Sequence, residues 1–170
     1  MQTTGRVGLK TRYWKVYECQ RCGGLVTAAS NTGNGAIAEM YPSRTEVDQA
    51  IPQAARDYLS QAISSIHAPA GAVMLTASAV DAMLKAKNYK DGSLYTRINQ
   101  AATDFLITND MGKWAHEIRL DANDQRHADE GAALPSESDA RKCVEFALAL
   151  AQFLFVLPSR VERGLEQASS

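Results

Sequence analysis

From residue 49 onward the apolar positions recur at helical spacing. Ala55, Tyr58, Leu59, Ala62, Ile63 and Ile66 form one stripe, which predicts a helix opening after Ile51 with Pro52 in its first turn and ending at Pro69. Val73, Ala77, Val80 and Leu84 predict a second helix over 70–87, and residues 88–92 break it. Leu94, Ile98, Ala101 and Phe105 predict a third over 93–106. Thr108 or Asn109 is placed to cap a fourth, whose apolar face is Met111, Trp114, Ala115, Ile118 and Ala122 and which has no Gly or Pro from Lys113 to Glu130. After the loop 131–135, Ser136 and Asp139 imitate a capping box. The fifth helix carries two stripes, one through Val144, Ala147, Ala151 and Leu154 and one through Phe146, Leu150, Phe153 and Leu157. A helix apolar on most sides belongs at the centre of a bundle. Pro158 is expected to break it, with a short basic helix following over 159–164.

The first 48 residues have another texture, with many Gly, Thr, Asn and aromatic residues. Residues 12–18 are strand formers, 19–24 read as a tight turn, 25–28 as the returning strand, and 37–41 as a short third strand stopped by Pro42. The fold class predicted is mainly α. It is an up-and-down bundle of four to five helices over 49–166, with a short β-hairpin, knuckle-like segment over 1–48, all in a single domain.

Composition narrows the classes of function. Apolar residues make up 45% and charged residues 22% of the 170, ordinary values for a chain with a real core. The net charge of −1 gives no broad basic field, so tight nonspecific binding of duplex DNA is not expected. No secretory signal is visible, and the apolar run from Val144 to Leu157 is interrupted by Glu145 and Gln152, so no membrane partner is predicted. Three cysteines without a signal suggest reduced thiols in a cytoplasmic protein.

Two groups of residues carry candidate chemistry. Cys19 and Cys22, followed by two glycines, have the spacing of half a zinc knuckle. Structural zinc needs four ligands, and Cys143 lies on the core stripe of the fifth helix, so further ligands would have to come from elsewhere; two reduced cysteines in a turn fit the same spacing. The second group lies on the fourth helix. Continued at 3.6 residues per turn, His116, Arg119, Asn123, Arg126 and His127 fall on one stripe, roughly opposite the apolar face. Guanidinium groups hold phosphate with a planar fork, and imidazoles move protons near neutral pH. A solvated helix face uses the same residue types, and spacing alone favours that plainer reading. Tyr89, Tyr95, Trp14 and Trp114 read as core or edge residues. No Gly-rich phosphate loop and no His-Glu-x-x-His zinc motif is present.

The order of these pieces is familiar. Tyr41-Pro42, Ile51-Pro52, Ala68-Pro69-Ala70, the segments 79–85 and 93–98, the run Trp114-Ala-His-Glu-Ile-Arg119 with Asn123 and His127, and Phe155 to Val161 together resemble domain-of-unknown-function family 4145, over roughly residues 37–163. That family is a branch of the HEPN helical-bundle superfamily. The resemblance implies a HEPN-like bundle, often preceded by a cysteine-rich knuckle. In active HEPN ribonucleases an Arg and a His with about four to six residues between them form a metal-independent site, usually at a dimer interface. Arg119, Asn123 and His127 match, and Arg126 is added on chemical grounds. Seven residues separate Arg119 from His127, and Ala122 stands where an active enzyme more naturally carries Arg.

The expectation is therefore a homodimer that contacts RNA or nucleotides through the fourth helix, with metal-independent RNA cleavage in a defence or toxin setting as the activity implied. His127 would move the proton, Arg119 and Arg126 would hold phosphate, and Asn123 would orient His127 or substrate. No cofactor is expected unless zinc binds at Cys19 and Cys22. The alternative is a non-catalytic module that docks a protein partner in a restriction or signalling system.

Overall fold

The computed structural model describes residues 2–4, 11–20, 23–41, 46–127 and 133–169; for residues 2–4 and 124–127 it describes the backbone alone. The chain divides into two compact units, Met1–Glu46 and Val47–Ser170.

The first unit is a four-stranded antiparallel sheet in the order β1 (Gln2–Thr4), β2 (Thr11–Glu18), β3 (Leu25–Ser30) and β4 (Ile37–Tyr41). The three expected strands are present; β1 is an addition that its polar sequence does not announce. Arg12 on β2 reaches across β3 to pair with Glu39 on β4 at 2.8 Å, and on the same face Trp14 approaches Tyr41 with ring centroids 6.0 Å apart. At the β2–β3 turn, Cys19 N–H donates to Gly24 O and Gly23 N–H donates to Cys19 O, with Gly23 at φ 68°. Only glycine adopts that backbone without strain.

The second unit is helical: α1 (Gln53–Ser64), α2 (Pro69–Ala86), α3 (Leu94–Thr103), α4 (Asn109–His127), α5 (Glu137–Ala151) and α6 (Leu157–Ala168), the last two joined by a π-helical turn over Gln152–Val156. Most positions of the predicted stripes point inward, whereas Tyr58, Trp114, Phe153 and Leu157 are exposed. Leu59, Val73, Val80, Met83, Leu84, Ile98, Phe146, Leu150 and Leu154 are buried in one core, and α2 packs against α1, α3, α4 and α5. Thr108 caps α4, its Oγ1 accepting from Met111 N–H at 3.2 Å. Ser136 and Asp139 form the reciprocal capping box of α5.

Three expectations need correction. Pro158 does not break the fifth helix, which runs unbroken from Glu137 to Ala168. Proline costs a helix the i→i−4 bond of its own missing N–H. Here the preceding π turn has already shifted the ladder, with Leu157 N–H donating to Gln152 O five residues back. By length and hydropathy this continuous helix passes the test for a membrane span, contrary to the reading of its sequence. Part of its apolar content belongs to the bundle, where Cys143, Phe146, Ala147, Leu150, Ala151 and Leu154 are buried. Beyond the π turn α6 buries none of its residues, leaving Leu157, Val161 and Leu165 exposed four apart.

Phe105 is the third correction. It sits past the end of α3, 90% exposed, at φ 58°. This is the left-handed position that follows a helix, where glycine is the usual occupant. We predict that Phe105→Gly raises stability by about 1 kcal/mol, because the left-handed strain of an L residue is removed and no packing is lost. Urea denaturation of the two proteins measures the difference.

Candidate functional site

The polar face of α4 meets α3, and the meeting is close because the facing residues are small. Gly112 is buried on α4, and a Cβ built there would stand 3.4 Å from Ala102 Cβ on α3. On α3, Tyr95 and Asn99 are four residues apart and share a face; on α4, His116, Arg119 and Asn123 do the same. His116 Nε2 lies 3.0 Å from Asn99 Oδ1. The amide oxygen is an acceptor, so Nε2 carries the proton and Nδ1 keeps its lone pair. Nδ1 is buried with no hydrogen-bond partner among the described residues. The His116 ring contacts Tyr95 with centroids 4.8 Å apart, and the Arg119 guanidinium lies 5.4 Å from the centre of the same tyrosine.

Burial, and then the Arg119 charge, hold the His116 pKa below its ordinary 6.5. The imidazole is therefore neutral at physiological pH. Arg119 has no carboxylate within ion-pair distance among the described residues, and its Nε is buried without a hydrogen-bond partner. It lines a cleft of about 190 Å³ with Asn123, Ser93, Leu94 and Tyr95. Ser93 is the N-cap of α3, and no acidic residue occupies the first turn of that helix. The positive end of the α3 dipole thus opens beside an unpaired guanidinium, an arrangement that suits an anion.

Of the residues predicted from sequence, the fold brings Arg119 and Asn123 into one cleft. Arg126 and His127 occupy the last turn of α4, and their side chains lie outside the described residues. Tyr95 lies at the edge of the bundle, one of the two places its sequence suggested. It is 53% exposed and joins His116 to Arg119. Asn99 joins the site through the packing of α3 on α4, which its place in the sequence does not announce. Cys22 also lies outside the described residues, as do Pro42 and the first two residues of the 131–135 loop. Among the described residues no three His, Cys, Asp or Glu side chains gather to hold a metal ion. Cys143 is buried in the helical core, and burial, with Asp121 and Asp139 behind it, pushes its thiol up to about 11. A thiol so placed is a poor metal ligand and nucleophile.

The sequence profile of the family described as domain of unknown function (DUF4145) matches residues 60–168, more than half of the chain. The chain belongs to the DUF4145 family. No curated protein and no solved structure matches it. The DUF4145 match covers α2 to α6 entire and the last five residues of α1, so every residue of the α3–α4 cleft lies inside it.

The lowered His116 pKa has a definite sign in solution. In the unfolded chain this imidazole takes its proton near 6.5, and in the folded chain only at lower pH. Its contribution to stability is thus complete above about 6.5 and is lost as pH falls below that value. We predict an NMR titration midpoint for His116 below 6.5, moving upward in Arg119→Gln as the neighbouring charge is removed.

Proposed function

We propose that this DUF4145 chain binds RNA or nucleotides through the cleft between α3 and α4, with the phosphate held by Arg119 and the first turn of α3. One observation carries the reading. Arg119 is a half-buried guanidinium with no carboxylate partner among the described residues, and it lines a cleft with Asn123 at a helix N-terminus. The magnitudes favour a ligand over a purely structural role. A cation–π contact with a half-exposed tyrosine is worth about 0.5–1 kcal/mol. A buried N–H left unpaired costs about 1–3 kcal/mol. Without ligand, then, the arrangement does not stabilise the fold, whereas a phosphate supplies the anion that Arg119 lacks.

The HEPN-like reading of the bundle belongs to the same proposal, and with it RNA cleavage without metal. A 2′-hydroxyl gives its proton to an imidazole and attacks the neighbouring phosphorus. The bond to the 5′-oxygen breaks, and a second acid returns a proton to that oxygen, leaving a 2′,3′-cyclic phosphate. His127 follows Asn123 by four residues on α4 and is the group assigned to proton transfer. Arg126 joins Arg119 in holding phosphate, and Asn123 orients His127 or substrate. His116, neutral and bonded to Asn99, positions Tyr95 and Arg119. Two chains supply the two imidazoles that base and acid require.

Purified protein mixed with labelled RNA in chelator tests both parts. Arg119→Ala is expected to weaken binding about ten-fold or more, the cost of a charge-assisted phosphate contact. His127→Ala is expected to abolish cleavage and leave binding in place. Binding without cleavage in the wild type would leave a non-catalytic RNA-binding module, and absence of binding would overturn the proposal.

Assembly as a homodimer is supported by α6, whose stripe of Leu157, Val161 and Leu165 is exposed among the described residues. The Cys19 turn adds a zinc half-site that Cys22 would complete, and two chains would supply four thiolates. Sedimentation is expected to give a dimer for the wild type and a monomer for Val161→Glu, with zinc at about half an equivalent per chain. A monomeric wild type without zinc would refute the assembly.

A further inference from the structure

The cleft at Arg119 is small. Binding pockets that enclose a whole small molecule have volumes of about 300–1,000 Å³. At about 190 Å³ this one holds a phosphate and its ribose oxygens, not a nucleotide. Its wall does not close the space. Ala77, Ser93 and Leu94, which line it, also line a second cavity of about 590 Å³ between α1, α2 and α3. That cavity is large enough for a base and its sugar.

The second cavity has the features of a groove for a single strand. Tyr58 of α1 lines it with its side chain 41% exposed. Lys85 lines it from α2, half-exposed, and Arg97 from α3, nine-tenths buried. Asp81 is the one carboxylate among its lining residues, and it faces both cations, at 2.7 Å from Lys85 and 3.3 Å from Arg97. The Arg97 contact is a charge attraction without a hydrogen bond, since neither Asp81 Oδ1 nor Arg97 Nε has a hydrogen-bond partner among the described residues. Arg97 is instead anchored by its Nη1, which donates to Gly92 O at 2.5 Å. Two cations against one carboxylate leave the cavity positive. The N-terminus of α3, at Ser93 and Leu94, faces both openings.

We infer that the two cavities form one track for single-stranded RNA of at least two nucleotides. One phosphate sits at Arg119 and the α3 N-terminus. The adjoining nucleotide lies in the larger cavity with its base against Tyr58 and its own phosphate at Lys85. Tyrosine faces alternating with cations along a groove are how single strands are held without reading sequence. This inference rests on the proposed binding at Arg119 and extends it to the length of the ligand.

Length dependence separates the two. Uridine monophosphate and a uridine trinucleotide are titrated into the full chain, wild type and variants, and affinity is read by calorimetry. The wild type is expected to bind the trinucleotide about ten-fold or more tightly than the monophosphate. Tyr58→Ala is expected to lose about five-fold or more of that gain, the loss of one stacked base, and to leave monophosphate binding unchanged. Tyr58→Phe keeps the gain, which a loss through misfolding would not allow. Lys85→Gln is expected to reduce the slope of log affinity against log salt by about 0.7, one phosphate contact fewer. Equal affinity for both ligands, or a Tyr58→Ala chain that keeps the full gain, overturns the two-nucleotide track and leaves the Arg119 site standing. Failure of both ligands to bind overturns the track together with the reading beneath it.

Discussion

Gly112 lies in the second turn of α4, and a methyl group on its Cα would already touch Ala102 of α3. The polar cluster of this protein depends on that approach. Asn99 and His116 are within a hydrogen bond of each other only because the two backbones run this near, and Tyr95 meets both His116 and Arg119 for the same reason. A single methyl is close to the limit, so Ala at 112 fits with little adjustment, whereas a β-branched side chain has no room and must push α3 from α4. Ile98 and Ala101 are fully buried on α3, which leaves Tyr95 and Asn99 for the polar contacts.

The groups held in this way divide into those that are satisfied and those that are not. His116 Nε2 has its acceptor; His116 Nδ1 and Arg119 Nε have no hydrogen-bond partner among the described residues. The neutral imidazole follows from burial beside a guanidinium, since a second positive charge there would be both desolvated and repelled. Arg97 offers the contrast. It is also a buried guanidinium, but it has Asp81 and the Gly92 carbonyl, and it ties α3 to α2. The two arginines therefore do different things: the more deeply buried Arg97 has a carboxylate, and Arg119 has none among the described residues.

Much of the helical unit was legible in the residues because burial follows the 3.6-residue period. Ala55, Leu59 and Ala62, or Val73, Ala77 and Val80, point inward where their spacing says they should. The capping box at Ser136 was legible because its chemistry is local. What failed was not local. Phe105 has the spacing of a core residue from Ala101, but the helix ends at Thr103 and a left-handed residue turns the chain away. Pro158 obeys the rule for proline in a regular helix, and a π turn removes the premise. The site divides in the same way. Arg119 and Asn123 share a face by their spacing on α4 alone. Tyr95 and Asn99 join them only through packing of one helix against another, which no spacing within either helix reveals.

The central claim is that the α3–α4 cleft is an anion site built for a nucleotide phosphate. Backbone amide shifts, followed by NMR while uridine monophosphate is added, test it most directly. The account predicts that the largest changes fall at the first turn of α3, Ser93 to Tyr95, and on α4 around Arg119 and Asn123, and that inorganic phosphate moves the same amides. Shifts confined to other surfaces, or none at millimolar nucleotide, would contradict it.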